Sequence, residues 1–153
     1  MRITHRELLC TLLCVLAIAA FLRAERNDVA IDPDGGIYTV SKEHSEIIIR
    51  RLSGEVWKIQ SRLNTTENAG EPAITWVNGG LLAAWSEKAE DGGKLVFARV
   101  LAGRETEVFR VPLSFAPRAL AMEEINGFRA GVLAVGPQAR WLEVDVRSRA
   151  VVR

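Results

Sequence analysis

Beyond its first 26 residues the chain has no cysteine, because Cys10 and Cys14 both fall in an apolar opening run. That absence excludes an intramolecular disulfide framework and a thiolate metal site in the rest of the chain. Histidine is nearly as scarce, with only His5 and His44, and His44 stands alone in the polar stretch KEHSE. Ser-His-Asp and Cys-His nucleophile arrangements are therefore unsupported. An excess of one charge is missing too: from Asn27 onward sixteen Lys/Arg face seventeen Asp/Glu, with the signs interspersed. Such a balance offers no electrostatic footprint for nucleic acid. Phosphate loops, dinucleotide fingerprints and haem-attachment motifs are absent, so no cofactor is expected.

What is present begins with residues 8–22, LLCTLLCVLAIAAFL, uncharged and followed by Arg23, Glu25 and Arg26. A secretory signal is one reading, since Arg2 and Arg6 supply a basic start and Ala17-Ile18-Ala19 a small-x-small cleavage site. The apolar run, however, continues three residues past that site, and basic residues would then open the mature chain. At about 1.5 Å per residue the run covers roughly 22 Å of a ~30 Å hydrocarbon core. Snorkelling of Arg6 and Arg23 extends the usable span to residues 4–24. The sequence thus predicts an uncleaved single-pass anchor over 1–26. The free amino terminus adds to the charge preceding the span, which predicts an inside N-terminus and a following domain on the periplasmic or extracellular side. Leu8, Leu12, Val15, Ile18, Phe21 and Leu22 are the expected membrane anchor. Cys10, Cys14 and Ala17 form a candidate helix-packing surface.

From residue 27 to 153 helical periodicity gives way to short apolar runs separated by Gly, Asn, Asp and Pro, the pattern of antiparallel sheet. Runs 28–31 and 37–40 flank the turn Asp32-Pro33-Asp34-Gly35-Gly36, and runs 46–52 and 55–60 flank Ser53-Gly54. Residues 63–72 read as a polar connector. The pattern resumes with 73–77, 81–86, 94–101 and 106–113, with a charged loop at 87–93. It resumes again with 119–124, 128–135, 140–146 and 150–152. In 81–85 both strand faces are apolar, Leu82 and Ala84 on one side and Leu81, Ala83 and Trp85 on the other, which suits a sheet buried on both faces.

Set side by side, VAIDPDGGIYTV, AITWVNGGLLAAW and ALAMEEINGFRAGVLAV share one hairpin design. EIIIRRLSG, KLVFARVLAG and RWLEVDVRSR share a second. Gly36 to Gly80 is 44 residues and Gly80 to Gly127 is 47, close to the roughly 40–50 residues of a four-stranded propeller blade. In this architecture the chain resembles a β-propeller, loosely of the sialidase and WD-repeat kind, with blades over about 27–62, 72–116 and 117–153. It carries neither the sialidase aspartate box, to which Trp85-Ser86-Glu87 comes nearest, nor a Gly-His or Trp-Asp dipeptide. No family residues are carried over. A β-sandwich is the alternative all-β arrangement.

Propellers usually close with about four to eight blades, so three blades predict that the outer faces of the first and third sheets are covered by another chain. A homodimer completing a ring and docking on a larger membrane complex are two ways to cover them. The tryptophans Trp57, Trp76, Trp85 and Trp141 are core packing or, where exposed, candidate interface aromatics. Glu123-Glu124 and Glu90-Asp91 read as strand and turn neighbours rather than a carboxylate pair across a cleft. The turn at Asp32 lacks the later ligands of a calcium loop. These readings point to a non-catalytic, membrane-anchored accessory or scaffold subunit of a larger assembly, such as an electron-transfer or photosynthetic one. The alternative is an envelope binding module for a saccharide or peptide, and a hydrolase has the least support.

Overall fold

The structure is a computed structural model that describes residues 28–104 and 106–153. The described residues are all-β. Twelve strands run in order: β1 (Val29–Ile31), β2 (Ile37–Glu43), β3 (Glu46–Ser53), β4 (Val56–Asn64), β5 (Ala73–Val77), β6 (Gly80–Ala89), β7 (Gly92–Leu101), β8 (Glu107–Leu113), β9 (Ala119–Asn126), β10 (Arg129–Val135), β11 (Ala139–Asp145) and β12 (Ala150–Val151). They form three four-stranded antiparallel sheets, each in simple chain order, and none closes on itself.

Local chemistry explains the hairpins. Two-residue turns that match strand twist need φ > 0 at both central positions (type I′) or at the first alone (type II′). Asn78 (φ 47°) and Gly79 (φ 72°) supply the first kind between the register partners Val77 and Gly80, so Gly80, expected in the turn between runs 73–77 and 81–86, opens β6 instead. In the first sheet the loop is Gly54-Glu55, closed by the pair Ser53 and Val56, one residue later than the expected Ser53-Gly54.

Two sequence expectations are corrected. The charged stretch 87–93 is not a loop: β6 runs to Ala89 and β7 starts at Gly92, leaving Glu90-Asp91 as the turn. Charge is tolerated there because Glu87 is the register partner of Lys94, with Oε2 and Nζ 3.1 Å apart. The connector 63–72 also begins later than expected, since β4 continues to Asn64, with Leu63 packed against buried apolar residues.

The middle sheet, β5–β8, is covered on both faces. Ala30, Tyr38, Val40, Ile47 and Ile49 of the first sheet pack with Ile74, Leu81, Ala83, Trp85, Val96 and Ala98. Leu82, Ala84, Leu95, Phe97 and Phe109 pack on the other side with Leu120, Met122, Val132, Leu142 and Val144 of the third sheet. The alternation expected in 81–85 is thus the one observed. Phe97 and Phe109 are register partners and stack at 4.9 Å between centroids. Each fully buried large side chain contributes about 1.5–3 kcal/mol by area removed from water, so the middle sheet is the energetic centre. The first strands are neighbours, with β5 lying against both β1 and β9.

Candidate interaction surface

The stack is held in place at one point on β6. Gly70 N–H donates to the Ser86 carbonyl (2.8 Å), and the Ser86 hydroxyl donates to the Pro117 carbonyl (3.2 Å). Next to it, Glu87 Oε1 accepts from Thr65 Oγ1 (2.8 Å) and from the Trp85 indole Nε1 (3.2 Å). Ser86 and Glu87 therefore anchor both connectors, the one arriving from the first sheet and the one leaving for the third. Burial pushes the Glu87 carboxyl up, but hydrogen bonds from Thr65, Lys94 and Trp85 outweigh it and hold the group below its usual range.

With the sheets fixed in this way, the four tryptophans separate into distinct roles. Trp85 is 2% exposed and belongs to the core. Trp76 is half-buried and stacks on Tyr38 at 6.0 Å across the first two sheets. Trp57 and Trp141 are each 43% exposed, and they lie at opposite ends of the stack. The expected anchor residues Leu8, Leu12, Val15, Ile18, Phe21 and Leu22, and the packing face Cys10, Cys14 and Ala17, lie outside the described residues.

Trp57 belongs to a row. Strand residues alternate between faces, and since Ala30, Tyr38, Ile47 and Ile49 face the middle sheet, their neighbours face away. The register pairs Ile31 with Ile37 and Leu52 with Trp57, and links Val29, Thr39, Arg50 and Ile59 in the next row. Val29, Ile31, Trp57 and Ile59 are all exposed. The charges on this face are internally matched, Arg50 to Glu43 (2.5 Å) and Arg62 to Glu46 (2.8 Å).

The outward face of the third sheet mixes small and large groups. Leu133 is flanked by Ala121 and Trp141, Val135 by Ala119 and Ala139, and Gly131 by Glu123 and Glu143. Glu143 lies 3.8 Å from Arg129 and 3.9 Å from Arg153. Glu124 takes the opposite face from Glu123, in register with the buried Ala130.

A groove of about 350 Å³ opens between β8 and the β11–β12 hairpin. Val111, Leu113, Leu142 and Val151 line it together with Arg110, Arg140 and Arg149. The described lining holds these three arginines and no carboxylate, so the wall is positive even though Arg149 is ion-paired to Glu107 at 3.1 Å. No sequence signal pointed to this groove, because its three arginines lie on separate elements and share no motif.

The remaining buried carboxylates serve turns. Asp32 Oδ1 accepts from Gly36 N–H (2.6 Å) and Asp34 N–H (3.0 Å), while Oδ2 accepts from the Tyr38 hydroxyl (3.0 Å). The Gly36 amide is the main reason its carboxyl lies below the usual range, against the upward push of burial. Asp145 is lowered chiefly by the amides of Ser148 and Arg147. Carboxylates committed to main-chain donors in this way set the shape of a turn. Among the described residues no group of three His, Cys, Asp or Glu side chains is placed to hold a metal ion.

Exposed apolar side chains thus stand on the outward faces of both terminal sheets, Val29, Ile31, Trp57 and Ile59 on the first and Val135 and Trp141 on the third, while Ile48 on the first is 1% exposed. Set against known proteins, the chain matches no family model, no curated protein and no solved structure.

Proposed function

We propose that this chain is a non-catalytic, membrane-anchored accessory or scaffold subunit whose β domain is a partial propeller, with the terminal sheets as its binding faces. The observation that carries this reading is the pair of exposed tryptophans, Trp57 and Trp141, set among apolar neighbours at opposite ends of one stack. Apolar patches of more than a few hundred Å² commonly mark protein interfaces, and tryptophan is enriched at their energetic centres. Support for the propeller-like arrangement comes from the three meandering sheets, the middle one buried on both faces, and the adjacency of their first strands. Support for anchoring comes from residues 8–22, with the domain on the periplasmic or extracellular side. The test is purification of the full chain from its native membranes in mild detergent. A stoichiometric assembly is expected, and recovery as a solitary chain would overturn the reading.

A second reading, an envelope module for an acidic peptide or saccharide, draws on the Arg110, Arg140 and Arg149 groove. Titration of tryptophan fluorescence with such ligands separates the two, since the scaffold reading predicts no saturable change.

A further inference from the structure

We infer that the groove between β8 and the β11–β12 hairpin takes an extended peptide segment of a partner, in which an acidic side chain and an apolar one stand two residues apart. The inference rests on the second reading, of the groove as a binding site, and names the peptide as its ligand class.

Charge is the first reason. Arg110, Arg140 and Arg149 line the groove and no carboxylate does. Glu107, which pairs with Arg149 at 3.1 Å, is shared with Arg99 at 4.0 Å. Among the described residues neither Arg110 nor Arg140 has an ion-pair partner. Arg140 also stands where the fold itself has no use for a charge. Side chains two apart on a strand share a face, so it continues the row of buried Val144 and Leu142, in register with the fully buried Ala134. Guanidiniums gathered in one groove repel one another. A carboxylate, matched to the planar fork of each, offsets that repulsion.

The rest of the lining decides between peptide and saccharide. Val111, Leu113, Leu142 and Val151 are aliphatic, and among the described lining residues there is no aromatic ring to stack on a sugar and no amide or hydroxyl side chain to bond its hydroxyl groups. An apolar side chain gains from burial against such a surface, and a hydrated sugar does not. At about 350 Å³ the groove lies at the lower end of the range of ligand sites, room for a few side chains.

Spacing sets the pattern. Arg140 and Leu142 share a face of β11 at an interval of about 6.6 Å, and on the other arm of the hairpin Arg149 precedes Val151 by the same two residues. An extended peptide repeats side chains on one face at that interval too. An acid at one position and an apolar residue two further on can therefore meet a guanidinium and the aliphatic lining together. Side chains hold the segment, and it is not an added strand: β8 is an edge strand, and a proline in such a strand turns its donor-less nitrogen to the open side, as Pro112 would here.

The experiment is fluorescence anisotropy of labelled heptapeptides with the full chain in mild nonionic detergent. In Glu-Ser-Leu-Ser-Leu-Ser-Glu the acids and leucines share a face. Glu-Leu-Ser-Ser-Ser-Leu-Glu has the same composition with them on opposite faces, and Lys-Ser-Leu-Ser-Leu-Ser-Lys reverses the charge. The first should bind saturably, about tenfold more tightly than either of the others, and Arg110→Glu or Arg140→Glu should weaken it by about tenfold. Both positions are exposed, so the far-ultraviolet spectrum should not change. Arg140→Gln repeats the test should Arg140→Glu fail to fold, and the double variant, Arg110→Glu with Arg140→Glu, should prefer the lysine peptide. Equal binding of the two glutamate peptides, equal binding of the lysine peptide to wild type, or undiminished binding by the variants would overturn the inference. Saturable binding of an oligomer of glucuronate without binding of the first peptide would overturn the peptide and leave the second reading standing. Binding of neither would overturn both, independently of the scaffold reading, which is judged by its native assembly.

Discussion

The indole of Trp141 lies over Gly131 of the adjacent strand, where an added Cβ would overlap its Cζ2 and Cη2 atoms. The contact is diagonal across β10 and β11, because the register partner of Trp141 is Leu133. A glycine there lets an aromatic ring settle on the sheet surface and gives the outward face its shape. Gly131→Ala is expected to lift the ring into solvent, with a red shift in Trp141 emission. Folding stability should change by less than about 1 kcal/mol, the scale of a cross-strand pair. Difference spectra against Trp141→Phe isolate the signal, and an unchanged Trp141 emission would show that the ring does not rest on Gly131.

A second prediction concerns the pinning of the connectors. A Cβ on Gly70 would collide with the Ser86 hydroxyl oxygen, which donates to Pro117. Gly70→Ala should therefore break that bond and cost about 1–2 kcal/mol. In a Ser86→Ala background the collision is gone, so the same substitution should cost much less. Urea unfolding of the four proteins gives the coupling, and additive costs would contradict it.

Glu87 sets a third. Replacing it with alanine leaves Thr65, Trp85 and Lys94 without their shared acceptor, a loss of about 1–3 kcal/mol. A threonine retained at position 65 should then no longer hold its connector, and amide exchange there should quicken. Equal stability of Glu87→Ala and wild type would remove the proposed anchor.

The pH dependence follows from Asp32, Glu87 and Asp145, all with carboxyls held below their ordinary values of 3.8, 4.5 and 3.8. Near those values the unfolded chain binds more protons than the folded one, so stability rises with pH. The contribution is fully present above the ordinary values and is lost as pH falls through the folded ones. Urea midpoints measured across the acid range should fall below about pH 4–5, less steeply in Asp32→Asn.

Tyr38 is the sole tyrosine, so the phenolate band reports it alone. Burial raises its pKa above 10.0, and the bond to Asp32 adds to the shift. Alkaline titration of wild type should lie above the ordinary range, and Asp32→Asn should move it back. Ionisation of wild type at the ordinary value would mean that this bond is not formed. Stability from this group is present below the ordinary value and is lost as pH rises through the folded one.

The strand pattern was legible in the sequence because alternation and turn residues act over a few neighbours. Asn78-Gly79 dictates its turn, and the two apolar faces of 81–85 announce a sheet covered on both sides. Satisfied charges were not legible: Glu87 sits in a strand because Thr65 and Lys94, one of them 22 residues away, supply donors that local reasoning does not place.

By itself, then, the sequence determined an all-β domain of short antiparallel strands following an apolar opening run, since local sterics and the two-residue period suffice for that. Only the tertiary structure decided that Trp85 is core while Trp57 and Trp141 face outward, although all three sit in apolar strand patterns. Burial depends on whether another sheet covers a face, and cover comes from residues far away in the chain. The same holds for Arg110, Arg140 and Arg149, which share a groove because the third sheet stacks on the second.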